Sequence, residues 1–252
     1  MKKRLMAAVL STAMAATMLL TGSISVQAAD AAAANDPAVE LIFTSVSVSG
    51  DSHTEAMYEF ADKVEELSGG SVTCKCYDNG SLFSSENEFD ALLNGDADLA
   101  YISFPTIATQ IPSYSMFASG YLFSSYEHMT SVLNGDIGLN KIRPQIEETL
   151  NIKPLSSFYL GSRVINTREK EINSYDDMNG LLLRMPNSEA WLFLGEALGA
   201  NPTPLSFSEL YTALQTGAVD AQDNPLPSIE SAKFYEVTKY IAITNHVVDS
   251  IM

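Results

Sequence analysis

Cysteine, histidine and basic residues are all scarce in this 252-residue chain. It has two cysteines, three histidines and 14 Lys plus Arg against 31 Asp plus Glu, a formal charge of −17. Such a surface repels nucleic acid and anionic lipid, which excludes partners of those classes. Cys74 and Cys76 stand two apart in Val72-Thr73-Cys74-Lys75-Cys76-Tyr77, on one face of an expected strand. A disulfide between strand neighbours so spaced is strained, and no second Cys or His pair lies nearby to complete a zinc site. They read as two buried thiols that act as small apolar side chains. His53, His128 and His246 are far apart and read as surface or structural histidines. The chain has no Gly-x-Gly-x-x-Gly, phosphate-loop lysine or Gly-x-Ser-x-Gly motif, and its carboxylates are too many to single out a catalytic pair. The expectation is a protein without catalytic residues, metal or cofactor.

Long apolar runs are also missing, except at the N-terminus. Lys2, Lys3 and Arg4 precede an apolar stretch from Leu5 to Leu20, and Val26 and Ala28 form a small-residue cleavage site. Residues 1–28 read as an export signal. Leu20-Thr21-Gly22 is followed by Ser23 instead of the cysteine that lipid anchoring requires. The expected location is the periplasm or the extracellular side of the cytoplasmic membrane. Cleavage leaves 224 of the 252 residues, with 11 basic against 31 acidic, a formal −20.

What remains alternates strand with helix, the pattern of an α/β fold with a mainly parallel sheet. Val39–Val48 reads as a buried strand. Ser52-His53-Thr54-Glu55 reads as a capping box opening a helix with Met57, Phe60, Ala61, Val64 and Leu67 on one face, ended by Gly69-Gly70. Strand 72–77, a helix capped by Ser85 with Glu88, and strand Leu99–Ser103 complete a βαβαβ unit. Residues 104–150 are less regular, with a helix from Glu127 to Leu133 and another interrupted near Pro144. A second series follows, with strands at 153–160, 163–166 and 181–184, a helix from Ser188 to Leu198, a capping box at Ser206-Phe207-Ser208-Glu209 and a strand at 218–222. Two α/β units in series predict two lobes, 29–160 and 161–249, with the ligand site in the crevice between them.

Against this acidic background two arginines are oddly placed. Arg163 follows Gly161-Ser162 at the start of a strand, and Arg184 ends a strand just before Pro186, Asn187 and a helix N-terminus. Strand ends of this kind border the crevice of open α/β sheets. A guanidinium there can grip a carboxylate through two parallel hydrogen bonds, and the helix start adds free N–H groups. The spacing leaves a second reading equally open, in which these cations are solvated ion pairs with neighbouring carboxylates.

Several segments resemble those of one family. Gly199-Ala200-Asn201-Pro202-Thr203-Pro204, Glu209-Leu210-Tyr211-Thr212-Ala213-Leu214-Gln215-Thr216-Gly217 and Gln222-Asp223-Asn224-Pro225 closely resemble the DctP-type solute-binding proteins of tripartite ATP-independent periplasmic (TRAP) transporters. Lys233 to Val237, Thr244-Asn245-His246, the Gly-x-x-x-Arg-x-Pro of residues 180–186 and Gly161-Ser162-Arg163 extend the match over nearly all of the chain after the signal. The resemblance implies two α/β lobes that close on a small organic acid and hand it to a membrane permease; a receptor feeding a sensor kinase is the alternative. It also implies a monomer. By matching position it implies Arg184 as the main carboxylate clamp, Arg163 as second cation, Asn187 and Asn224 as hydrogen-bonding partners and Phe207 packed on the ligand. Ser103 and Thr106 match first-lobe ligand positions often charged in sialic-acid binders, and these two with the His53 region are expected to choose among acids. Ala221 replaces the family's usual glycine. The resemblance further implies a return strand beginning at Val247–Ile251, with residues 250–252 its start in the first lobe, and a C-terminal part of the fold that this chain lacks.

Overall fold

Two sheets carry the described residues, 38–252 of the computed structural model. The expected signal at 1–28 lies outside them. Among the described residues no helix is long and apolar enough to cross a membrane.

The first sheet has the order β2-β1-β3 and is all parallel, formed by β1 (Val39–Thr44), β2 (Val72–Tyr77) and β3 (Leu99–Ala100). Parallel neighbours need crossovers, supplied by α1 (Ser52–Ser68) and α2 (Glu88–Asn94). β1 ends at Thr44, short of the expected Val48, because the following backbone turns away: Asn79 and Gly80 donate to the Ser47 and Ser45 carbonyls. α1 starts one residue earlier than its expected capping box. Asp51 holds the N-cap, its Oδ1 accepting from the His53 N–H at 2.9 Å, and Gly69 closes the helix in the left-handed conformation. α2 departs further from its expected cap, since Ser85 Oγ donates to Glu86 and Glu88 is turned inward.

The irregular stretch folds as α3 (Phe104–Ile107), a 3-10 turn at Pro112–Ala118, α4 (Tyr126–Leu133), a π-turn at Gly138–Ile142 and α5 (Arg143–Leu150). Pro144 follows directly on the π-turn, at the second position of α5, in a helical run that continues from residue 136. These segments bury Ile107, Met129, Leu133 and Ile146 almost completely. Each such side chain contributes about 1.5–3 kcal/mol of transfer free energy.

The second sheet has the order β6-β5-β7-β4-β8. β4 (Phe158–Thr167) is one continuous strand; the expected strand at 153–157 is irregular chain. β5 (Leu182–Met185), α6 (Glu189–Ala197), β6 (Asn201–Pro204), α7 (Phe207–Thr216) and β7 (Ala221–Pro225) form parallel units, and α8 (Leu226–Ser231) follows. β6 was not expected because it contains Pro202 and Pro204; as the edge strand it tolerates both. β8 runs from Tyr240 to Ile251, longer than the expected return strand, and pairs antiparallel with β4.

β8 also joins the two sheets. Its end reaches the first lobe through an Ser103–Ile251 bridge and reciprocal Ile102–Met252 hydrogen bonds, both 3.0 Å. The expected 160/161 boundary falls inside β4. Here the strand pairing slips at Gly161, whose φ of 137° suits glycine and where a Cβ would stand 2.3 Å from Pro225 Cβ.

Candidate functional site

Arg163 follows the Gly161 bulge, and the bulge aims it inward to 3% exposure. Its Nε donates to Asp223 Oδ2 at 2.7 Å and its Nη1 to Asp249 Oδ2 at 2.6 Å. Nη2 donates to the Asp223 carbonyl at 2.6 Å and to Asp223 Oδ1 at 3.0 Å. The guanidinium also lies 4.5 Å from the centre of the Trp191 ring. Burial alone would depress this arginine's pKa, but the two carboxylates outweigh it and raise it. Burial pushes the Asp223 carboxyl up, yet Arg163 and His246 more than offset this and bring it to about 2. His246 is fully buried, 3.2 Å from Asp223 Oδ2 and 2.8 Å from Thr244 Oγ1, so it is structural, one of the two expected readings.

Arg184 is different. It is 2% exposed, and the hydrogen bond it makes is Nε to the Leu205 carbonyl at 2.7 Å. Among the described residues no carboxylate lies within ion-pair distance of it. Burial lowers its pKa to about 10, with nearby Asp223 opposing and Arg163 reinforcing that shift, so it stays charged at neutral pH. A buried cation without a partner is expensive to keep unless an anion completes it.

Both arginines line a cavity of about 140 Å³. Phe207, 6.0 Å from the Arg184 guanidinium, and Asn224 line it on the second-lobe side, with Ser103 and Thr106 on the first. Ser103 Oγ and Thr106 Oγ1 hydrogen-bond each other at 2.9 Å. Asn224 is fixed by donating to Gln222 Oε1 at 2.6 Å. Six of the eight expected site residues are therefore brought to one cavity.

Two are not. Asn187 is exposed in the turn between β5 and α6 and is not on the cavity wall. His53 packs its Nδ1 3.0 Å from Asp51 and faces a separate groove with Tyr126 and Tyr159, because Asp51, one residue before the helix, takes the cavity position. Arg163 reaches the cavity, but its charge is matched by Asp223 and Asp249, so the ion-pair reading holds for it, buried instead of solvated. A larger groove of about 770 Å³ lies beside β3, but neither arginine lines it. Asp51, Trp191 and Asp249 line the site without having been singled out in the sequence. Cys74 and Cys76 are half-buried and free.

Two α/β sheets tied by a shared strand, with a buried cation in a cavity walled by both, define a two-lobed α/β binding-protein fold. The chain belongs to the DctP family, bacterial extracellular solute-binding protein family 7, which matches residues 43–252. It is 35% identical over 192 residues to the sialic acid-binding periplasmic protein SiaP of Vibrio cholerae, a match covering 76% of this chain and 59% of that protein. It is 30% identical over 195 residues to the C4-dicarboxylate-binding protein DctB of Bacillus subtilis, covering 76% and 54%. The chain thus spans less than three-fifths of these relatives' length. Among solved structures, it resembles a TRAP periplasmic solute-binding protein of Roseobacter denitrificans with bound 3-deoxy-D-manno-oct-2-ulosonic acid. That likeness has a TM-score of 0.79 and 41% identity over 85% of this chain and 70% of that one. It also resembles the sugar acid binding protein DctPAm of Advenella mimigardefordensis in complex with galactonate, with a TM-score of 0.81 and 32% identity over 86% and 70%.

Proposed function

We propose that this protein captures a small organic acid outside the cytoplasm and delivers it to a TRAP membrane permease, without catalysing a reaction on it. Arg184 carries this reading: a buried guanidinium facing a cavity, charged at neutral pH, with Nε held by a carbonyl and, among the described residues, no carboxylate in ion-pair contact. A ligand carboxylate would complete it through charge-assisted hydrogen bonds. Phe207 and Asn224 would flank the bound acid, and Ser103 and Thr106 would face it from the first lobe. The bound acids of the similar structures, a sugar acid and an ulosonic acid, agree with this chemistry.

The location proposed is the periplasm or the outer face of the cytoplasmic membrane, in keeping with the periplasmic relatives. A thermal-shift screen of the full chain against organic acids tests the reading. An acid at 100 times its Kd should stabilise the fold by about 2.7 kcal/mol. Turnover of a bound acid, or no stabilisation by any carboxylate, would sink it.

A further inference from the structure

Glu88 on α2 is 3% exposed and lines the same cavity from the first-lobe side. Its Oε1 and the Thr44 hydroxyl beside it are both buried without a well-formed hydrogen bond among the described residues, the two lying near enough to interact weakly with each other. A buried polar atom left in that state costs stability, so its retention facing a ligand cavity points to a partner that arrives with the ligand. Burial pushes the Glu88 carboxyl up to about 8, with only the Thr44 hydroxyl opposing. At neutral pH the group therefore keeps its proton and offers one O–H donor beside its acceptor sites.

The other charged or titratable groups lining the cavity are Asp51, Tyr101, Arg163, Arg184 and Asp249. Arg163 is matched by Asp223 and Asp249, which leaves Arg184 as the cation available to an anionic ligand. A second ligand carboxylate placed on the Glu88 wall would have the neutral Glu88 O–H as a donor but no unmatched cation, with the Asp51 carboxylate lining the same cavity. A ligand hydroxyl could both donate to Glu88 and accept from it.

We propose that Glu88 is a specificity-determining residue of this site, its carboxyl group hydrogen-bonding a hydroxyl of the ligand and so favouring hydroxylated acids over plain dicarboxylates. This rests on the cavity being the carboxylate site proposed above.

Calorimetry on the full chain tests it, with galactonate and glucuronate as hydroxylated acids and succinate as the hydroxyl-free one, between pH 6 and 9. Wild type should bind a hydroxylated acid at least tenfold more tightly than succinate and weaken as pH rises through about 8, where Glu88 ionises beside an anion. Glu88→Leu should lose tenfold or more for the hydroxylated acid while succinate changes less than threefold. Glu88→Gln keeps a neutral donor, so it should stay within threefold of wild type at pH 7 and lose the pH step. Ligand-free Glu88→Leu should melt no lower than wild type, which separates lost recognition from lost folding. Preference for succinate in wild type, or an unchanged hydroxylated-acid affinity in Glu88→Leu, overturns the role of Glu88 while leaving the carboxylate site standing if Arg184→Ala still abolishes binding. Failure of wild type to bind all three acids overturns both.

Discussion

Asp51 and Ser231 meet across the cavity, Ser231 Oγ donating to Asp51 Oδ2 at 3.1 Å, so the N-cap of a first-lobe helix is tied to a helix of the second lobe. Asp51 also receives the His53 N–H, and its position is fixed independently of Ser231. Removing the hydroxyl alone therefore tests the tie without disturbing α1. Ser231→Ala should weaken ligand binding by about 0.5–1.5 kcal/mol, the net worth of one such bond, with little change in ligand-free melting. Calorimetry beside a melting curve checks this; an equal loss in both would mean that the bond supports the fold and not closure.

Arg184→Ala should cost roughly 2–5 kcal/mol of binding, because a desolvated ligand carboxylate is left unpaired. Arg184→Lys keeps the charge and loses the planar fork, so it should recover only part of the affinity. The comparison is Kd for the tightest acid from the screen. A loss of tenfold or less in the alanine variant would move the clamp elsewhere.

Asp223 should matter to stability. Asp223→Asn removes one partner of a buried pair and leaves Arg163 short of negative charge, at an expected cost of about 3–5 kcal/mol by denaturant titration. The folded carboxyl titrates at about 2, below its ordinary 3.8, so its contribution is fully present above about 4 and is lost as pH falls towards 2. The difference in stability between wild type and Asp223→Asn should shrink over that window. A constant difference would assign the destabilisation to packing.

Glu88 has the opposite sign. Below about 4.5 it is protonated in folded and unfolded chains alike. Between there and about 8 only the unfolded chain ionises, so unfolding releases a proton and stability falls as pH rises. The melting temperature of ligand-free wild type should decline across this range, and Glu88→Gln should decline less. Parallel curves would show that Glu88 ionises normally in the fold.

Much of this architecture can be read locally. Glycine stops at Gly69, Gly95 and Gly217 and the N-cap Ser188 sit within one turn of the helices they bound, so short windows reveal α1, α2, α6 and α7. The site is harder. Arg184 stands out because it ends a strand before a helix, whereas the partners of Arg163 lie 60 and 86 residues away and no local pattern links them. Glu88 illustrates a different failure. Its spacing from Ser85 matches a generic helix cap, and only the packing of α2 against the sheet decides that the side chain turns inward. His53, placed at the site by the resemblance, lies off it because neighbouring Asp51 takes the inward place.

The placement of the Arg163–Asp249 pair has a mechanical consequence. Arg163 is on β4 and Asp249 on β8, the antiparallel partners whose ends meet the first lobe, and the pair lies next to the Gly161 bulge where their register slips. A hinge motion that bent this two-stranded strap would pivot near the pair. The second-lobe wall would then stay assembled at the axle while Asp51 and Glu88, on the first-lobe side of the cavity, moved against it. The fold would behave as a jaw with a fixed anvil, on which the acid's carboxylate lands before its hydroxyls are inspected. Spin labels on α1 and α7 should report a distance that shortens when acid is added, while a pair within β5 and β7 stays constant.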